Sequence, residues 1–353
     1  MCLKIGIVGY GYWGPNLVRN FNKTDGCEVL AVCDRFEDRL TQANKLYPSI
    51  KTYQNYSEFL ESGLDAVAVA TPVASHYQLA MQALETNKHL LIEKPMAESA
   101  KQAENLILES KKRGLILMVD HTFVYTGAVQ KIHDLYKKGE LGDIQYFDST
   151  RMNLGLYQHD VDVIWDLAVH DLSILDFIIG EDPSSVSAVG TSHVLGMPED
   201  MAYLTVFYKS GAMAHVGVNW LSPVKVRRTV IGCTKKMIVW DDLEPSDKIK
   251  VYDTGVTVTN DPEKIYDMIV GYRVGDMWAP HIPILEALAI EAEHFIDCIT
   301  TKSSPITSGE IGLRVVRILE AASKSMKNMQ KLSPESFGPP KNRQRQAGSA
   351  GMA

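Results

Sequence analysis

Lys4-Ile5-Gly6-Ile7-Val8-Gly9-Tyr10-Gly11-Tyr12-Trp13-Gly14-Pro15-Asn16 is the stretch whose reading decides the fold. Its first part is a short apolar run with β-branched residues, which predicts a buried strand over Lys4–Val8. Its second part spaces three glycines as G-x-G-x-x-G, and Pro15 suits the first turn of a helix over Pro15–Asn22. The glycine spacing alone is a weak signal; a strand before it and a helix after it supply the context that gives it meaning. Gly9 permits the tight turn, Gly11 lets the backbone approach a pyrophosphate, and Gly14 lets helix and strand pack closely. The helix start offers free N–H groups and a partial positive charge to phosphates. Gly9, Gly11, Tyr12, Trp13 and Gly14 are therefore candidate dinucleotide-binding residues. A glycine turn used only for packing, or a methyl-transfer cofactor on a similar sheet, is the alternative.

Asp34 ends the next predicted strand, Glu28–Cys33. An acid at that place accepts hydrogen bonds from ribose hydroxyls and repels a 2′-phosphate, which favours NAD. Arg35 beside it can hold such a phosphate, so NADP stays possible. Further apolar strands, Asp65–Ala70, His89–Ile92 and Ile116–Val119, alternate with helical segments Arg35–Leu46, Ser75–Glu85 and Ala97–Lys112. Near-continuous apolar strands between helices indicate a parallel sheet covered on both faces.

The pattern changes after about residue 122. Gly142–Asn153 alternates apolar and polar residues. Met201–Tyr208 and Ala212–Trp220 read as a hairpin, and Val226–Ile231, Lys236–Trp240 and Ile249–Tyr252 as further strands. Helices are expected over Ile284–Thr300 and Ser308–Met329. The fold class is thus α/β: a dinucleotide-binding domain over 1–121 and, over 122–332, an α+β domain with an open, mostly antiparallel sheet. Residues 333–353, rich in Pro, Gly, Gln, Arg and Ser, are expected to be a disordered tail. A chain of 353 residues suits two domains.

The formal net charge is −7, and basic clusters are short runs such as Lys111-Lys112-Arg113, Arg227-Arg228 and Lys235-Lys236. That balance argues against a nucleic-acid partner. No apolar run approaches the roughly 18 residues that span a bilayer, so no membrane partner is expected. The first residues lack a basic leader and read as a strand, not a signal peptide. Cys2, Cys27, Cys33, Cys233 and Cys298 are odd in number and scattered, with no Cys-x-x-Cys pair. Neither a disulfide framework nor a metal site is expected, and a reducing, cytoplasmic location follows.

Two further places carry chemistry. Glu93-Lys94-Pro95 leaves a buried strand at its carboxyl end, where ligands bind in such sheets. Lys94 there either donates to a substrate oxygen or simply pairs with Glu93. Asp166 and His170 lie four apart within an apolar helical stretch, Asp162–Ile178. With Asp162 and Ser173 they form a polar stripe, which is either a solvated face or the wall of a cavity.

Taken together, Gly9-x-Gly11-x-x-Gly14, Ala70-Thr71-Pro72 with His76, Glu93-Lys94-Pro95 and Asp166-x-x-x-His170 resemble the Gfo/Idh/MocA oxidoreductase family over about residues 3–330. The resemblance implies a Rossmann domain, a C-terminal domain with an open sheet, bound NAD or NADP, and oxidation of sugar or cyclitol hydroxyls or reduction of the ketones. It implies Lys94, Asp166 and His170 as catalytic residues. His170 would act as base, Lys94 would hold the substrate oxygen, and Asp166 would bind a neighbouring hydroxyl or orient His170. Ala70, Thr71, His76, Glu93 and Lys94 would join Asp34 and Arg35 at the cofactor, and the Lys94–Pro95 bond would be cis. Tyr125, Arg151, Asn153 and His170 would line the substrate pocket, with Arg151 pairing a phosphate or carboxylate. Lys225 and Arg227, on one strand face, would do likewise or face solvent. Members related to this chain suggest a nucleotide sugar oxidised at its third carbon, and a homodimer or homotetramer formed through the C-terminal sheet. Another sugar or cyclitol, an NAD-dependent glycoside hydrolase and a non-catalytic NAD-binding regulator are the rival functions. One departure stands out: Val119-Asp120-His121-Thr122-Phe123 occupies the place where relatives often carry a Gly-His-Asn-Arg type turn.

Overall fold

A computed structural model describes residues 2–155, 161–258 and 270–328. Six short strands, β1 (Leu3–Val8), β2 (Cys27–Cys33), β3 (Lys51–Tyr53), β4 (Ala66–Val69), β5 (His89–Glu93) and β6 (Leu117–Asp120), form one sheet in the order β3-β2-β1-β4-β5-β6. Every pairing in it is parallel. Parallel neighbours need crossover connections. These are α1 (Gly14–Phe21), α2 (Glu37–Leu46), α3 (Tyr56–Leu60), α4 (Val73–Glu85) and α5 (Ala100–Arg113). Apolar side chains on both faces of the sheet, Ile5 and Ile7 on one and Val67 and Leu90 on the other, build two separate cores. This is the doubly wound dinucleotide-binding arrangement that the glycine loop predicts.

The second sheet has eight strands in the order β14-β13-β12-β11-β7-β10-β9-β8. They are β7 (Ile144–Leu154), β8 (Pro183–Thr191), β9 (Met201–Tyr208), β10 (Met213–Asn219), β11 (Leu221–Cys233), β12 (Met237–Asp241), β13 (Ile249–Val258) and β14 (Val270–Trp278). All neighbours are antiparallel except β7 and β10. That one parallel pair exists because the chain leaves β7 through a helical crossover before it returns. The helices beside this sheet are α6 (Gly127–Lys137), α7 (Val169–Ile179) and α9 (Gly309–Asn328), and α8 (Ala287–Thr301) precedes α9 in the chain.

Two expectations are corrected here. Residues 287–301 were expected to belong with the second domain, yet α8 lays Leu288, Ala292, Phe295 and Ile296 into the core of the first sheet, beside Phe21. An amphipathic spacing says that a helix buries a face, not which sheet receives it. The stretch Asp162–Ile178 is also not one regular helix. Ile164–Ala168 is a π-turn, and α7 begins only at Val169. The Asp162 carboxylate accepts from the Ile164 and Trp165 N–H groups at 2.9 and 3.1 Å, which ties it to the start of that turn. The expected tail, 333–353, lies outside the described residues, and among the described residues no helix is long and apolar enough to cross a membrane.

Candidate active site

A cavity of about 1510 Å³ opens at the carboxyl ends of the first sheet's strands and reaches the second sheet. It sits where the chain order reverses between β1 and β4, the usual ligand position in such sheets. The glycine loop forms one end. Gly9 has φ +95°, and a Cβ there would lie 2.5 Å from the Ala70 carbonyl oxygen. A Cβ on Gly14 would lie 2.0 Å from the Gly9 oxygen. Both positions therefore demand glycine. Gly11 is different: the atom nearest its missing Cβ is the Arg39 Nη1, at 3.5 Å. Gly11 is the member of the three that faces open space and a cation, and no side chain caps the first turn of α1 behind it. The loop therefore fits a diphosphate on geometry, charge and free donors together.

Gly9, Gly11, Tyr12, Trp13, Asp34, Arg35, Ala70, Thr71, Glu93, Lys94, Asn153, Asp166 and His170 all line the cavity, as the sequence reading places them. Asp34 does more than face a ribose. Its carboxylate accepts from the Tyr10 N–H at 2.7 Å, the Phe36 N–H at 2.9 Å and Arg39 Nη1 at 3.3 Å. The same acid thus pins the glycine loop, with about one of a carboxylate's four acceptor sites left for a ligand. Arg35 and Arg39 both stack on Phe36, each 4.7 Å from its ring. Arg39 was missed in the sequence reading, although it sits one helical turn beyond Arg35.

The opposite end is built from side chains. Lys94 follows β5, and its bond to Pro95 is cis, as expected. Its ammonium donates to the Asp166 backbone oxygen at 3.1 Å and lies 3.5 Å from the Asp166 carboxylate. The π-turn aims that carboxylate at Lys94, and the buried Trp220 indole donates to its other oxygen at 3.0 Å. Asp166 is thus held by Lys94 and Trp220 and does not orient His170. π-turns of this kind recur at functional sites. The His170 ring packs edge-on against Phe123, 4.8 Å away, and has no hydrogen-bond partner among the described residues. Burial pushes its pKa well below the ordinary histidine value, helped by the positive charges of Lys94, Arg151 and Arg227. A neutral imidazole, free to take a proton, is the result.

Three expectations, for Arg151, Tyr125 and His76, are corrected by the positions of their residues, none of which lines the cavity. Arg151 is buried; its guanidinium binds Asp171 at 2.7 and 3.3 Å and covers Phe123. A strand reading gives the face on which a side chain lies but not the buried partner waiting there. Tyr125 is also buried, with its hydroxyl on Thr307 at 2.9 Å. His76 ties Thr71 to Pro95 through their carbonyl oxygens, at 2.7 and 2.9 Å, so it braces two cavity loops from behind. Lys225 is exposed, the solvent-facing alternative of its reading, whereas Arg227 lines the cavity; the strand's register slips between Leu221 and Val226, just before it. Asp162 lies in a separate groove beside Glu199 and Lys327. Besides Arg39, the sequence reading missed Thr122, Phe123 and Trp220; two of them lie in the departing turn after β6.

Two family descriptions match the chain. Residues 3–121 fit the oxidoreductase family with an NAD-binding Rossmann fold, and residues 129–239 fit the GFO/IDH/MocA C-terminal domain. The chain belongs to the GFO/IDH/MocA family. It is an NAD-binding oxidoreductase. Among its relatives in this family, myo-inositol 2-dehydrogenase of Thermotoga maritima is 24% identical over 94% of this chain and 99% of its own. UDP-N-acetylglucosamine 3-dehydrogenase of Acidithiobacillus ferrooxidans is also 24% identical, over 89% of this chain and 94% of its own. A crystal structure of the latter superposes with a TM-score of 0.79 at 22% identity, covering 93% of this chain and 98% of that one. The family's cofactor suits the cradle described: Gly9, Gly11, Asp34 and the start of α1 would hold NAD, and Lys94 and Glu93 would lie toward its reactive end.

Proposed function

We propose that this oxidoreductase transfers hydride between NAD and a hydroxyl-bearing carbon of an anionic sugar, with a nucleotide sugar oxidised at its third carbon as the first choice. The observation that carries this reading is Arg227. It lines the cavity on the side facing Lys94 and His170, 3.4 Å from Asp242 and stacked on Phe123. Burial and the neighbouring Arg151 lower its pKa from the usual arginine value, with Asp242 acting in the opposite direction, and its guanidinium suits an anionic group in the cavity. The cavity also exceeds the roughly 300–1,000 Å³ usual for a single small ligand, which leaves room beside a dinucleotide.

The roles follow from the geometry. His170 takes the hydroxyl proton on a ring nitrogen, since its imidazole is neutral and has no hydrogen-bond partner among the described residues. Lys94 donates from Nζ to the same oxygen and steadies the negative charge that develops there. Asp166, braced by Trp220, accepts from a neighbouring hydroxyl and holds Lys94 in line. When bound, NAD supplies the hydride acceptor. The pairing with a cyclitol, as in the Thermotoga relative, is the second reading; it needs no anion and leaves Arg227 with Asp242 as its charge partner.

The test is absorbance at 340 nm with NAD and a panel of UDP-sugars, uronates, free sugars and inositols. Turnover of an anionic sugar with a KM raised about tenfold or more in Arg227→Met supports the reading. Turnover of inositols alone, unchanged in Arg227→Met, overturns it. We also propose that copies of the chain associate through the outer face of the second sheet, where Tyr203, Phe207, Met213, Val256, Tyr272 and Val274 are exposed. An apolar face of that extent is uncommon on a monomer. A monomer by light scattering at micromolar concentration would refute it.

A further inference from the structure

The departing turn after β6 brings a buried acid beside Lys94, where the reactive end of a dinucleotide held by the glycine loop would lie. Asp120 and Glu93 are register partners on adjacent strands, so their side chains stand side by side. Both line the cavity. Glu291 reaches the same place from α8; it is fully buried and stands within hydrogen-bonding reach of Asp120 and Thr122. Three carboxyl groups thus share one dry pocket, with the Lys94 ammonium beside it.

They are not equivalent. Asp120 accepts the Trp13 indole N–H at 2.8 Å and the Thr122 hydroxyl at 2.5 Å. These donors suit a carboxylate. Glu93 accepts the Lys94 backbone N–H, at 3.1 Å, and its carboxyl stands within hydrogen-bonding reach of Asp120. Like charges this close cannot all ionise, and a carboxyl buried against a carboxylate keeps its proton and can share it with that carboxylate. Trp13 closes the arrangement by linking the glycine loop to Asp120.

We propose that the Asp120 carboxylate, fixed by Trp13 and Thr122 at the end of the cavity beside Lys94, makes this protein bind the oxidised dinucleotide in preference to the reduced one. The nicotinamide ring is cationic when oxidised and neutral when reduced. A fixed negative charge in a water-poor wall attracts only the first form, and it offsets the repulsion from Lys94. Glu93 and Glu291 stay neutral: burial, and then the charge of Asp120, raises both well above the ordinary glutamate value. The ring of His121, buried with both nitrogens unpaired and its pKa lowered to about 4, adds no charge either. The turn after β6 therefore holds a specificity element for cofactor oxidation state. This inference rests on the dinucleotide reading of the cavity.

The experiment measures dissociation constants of the full chain for NAD⁺, by calorimetry, and for NADH, by fluorescence, without substrate. Asp120→Asn keeps the shape and loses the charge. It is expected to weaken NAD⁺ relative to NADH by about ten- to thirtyfold, the size of one unit charge several ångströms away in a half-buried site. A tenfold change in that ratio is about 30 mV for a two-electron couple. Lys94→Met is expected to move the ratio the other way, and Glu291→Gln to leave it unchanged, because that carboxyl is already neutral. Melting curves establish that each variant folds; if Asp120→Asn does not, Asp120→Ser makes the same test with a smaller side chain. Equal weakening of both forms by the Asp120 variants overturns the proposal, as does a Glu291→Gln shift as large as theirs. Wild type that binds neither form would instead break the dinucleotide reading beneath it.

Discussion

The two ends of the cavity are made of different material. At the glycine loop the backbone does the work: a Cβ on Gly9 or Gly14 would come within 2.5 or 2.0 Å of a backbone oxygen, and Asp34 locks the turn through the Tyr10 N–H. At the other end side chains from β5, the π-turn and β10–β11 meet: Lys94, Asp166, His170, Trp220 and Arg227. A backbone-built end is written in consecutive residues and suits a ligand with constant phosphates. A side-chain-built end gathers residues over a hundred positions apart and can be changed one residue at a time. The first end therefore identifies the cofactor, and the second sets the substrate.

Breaking the second end while sparing the first is the sharpest way to test this division. Lys94→Met and His170→Ala are expected to lower kcat by about 10²–10⁴, the usual weight of a positioned acid–base group, with NAD⁺ affinity changed far less in His170→Ala. Loss of NAD⁺ binding in His170→Ala would erase the distinction. Next in size is Arg151→Met, which leaves Asp171 buried without its partner. Breaking such a pair costs about 3–5 kcal/mol of stability, so denaturant midpoints should fall sharply while KM stays near wild type at a permissive temperature. A KM effect without lost stability would return Arg151 to the substrate.

Trp220→Phe removes the indole donor to Asp166 and keeps most of the packing. About a tenfold loss of kcat is expected, as for one hydrogen bond to a charged group. The pH profile gives a finer cut. His170 must be neutral to act, and its pKa is lowered, so kcat/KM should hold as pH falls through the ordinary value of 6.5 and decline only below it. Arg227→Met removes one of the charges that depress it and should move that acid limb upward; an unmoved limb would mean that another group titrates. The smallest effect is expected at Arg19→Ala, far from either end. Its partner Glu286 has a pKa near 2, so the pair's contribution is present above the ordinary glutamate value and is lost as pH falls through about 2. Both side chains are more than a third exposed, so the loss at neutral pH should stay below about 1 kcal/mol.

Sequence periodicity by itself determined the parallel sheet, its dinucleotide loop and the presence of a second, mostly antiparallel sheet. Strand alternation and glycine spacing are local properties, imposed by backbone sterics over a few residues. Lys94, Asp166 and His170 were legible as a set only through resemblance, because no local rule brings a strand end and a helix start together. What the tertiary structure decided was the partner of each buried charge. Arg151 and Arg227 face each other across β7 and β11 and both cover Phe123, yet Asp171 claims the first and the cavity receives the second. The π-turn that swings Asp166 toward Lys94, and the packing of α8 that brings Glu291 under β6, belong to the same class. Each is set by which surfaces meet across long sequence separations, where burial makes an unpaired charge too costly to leave and only the folded chain determines which partner is near.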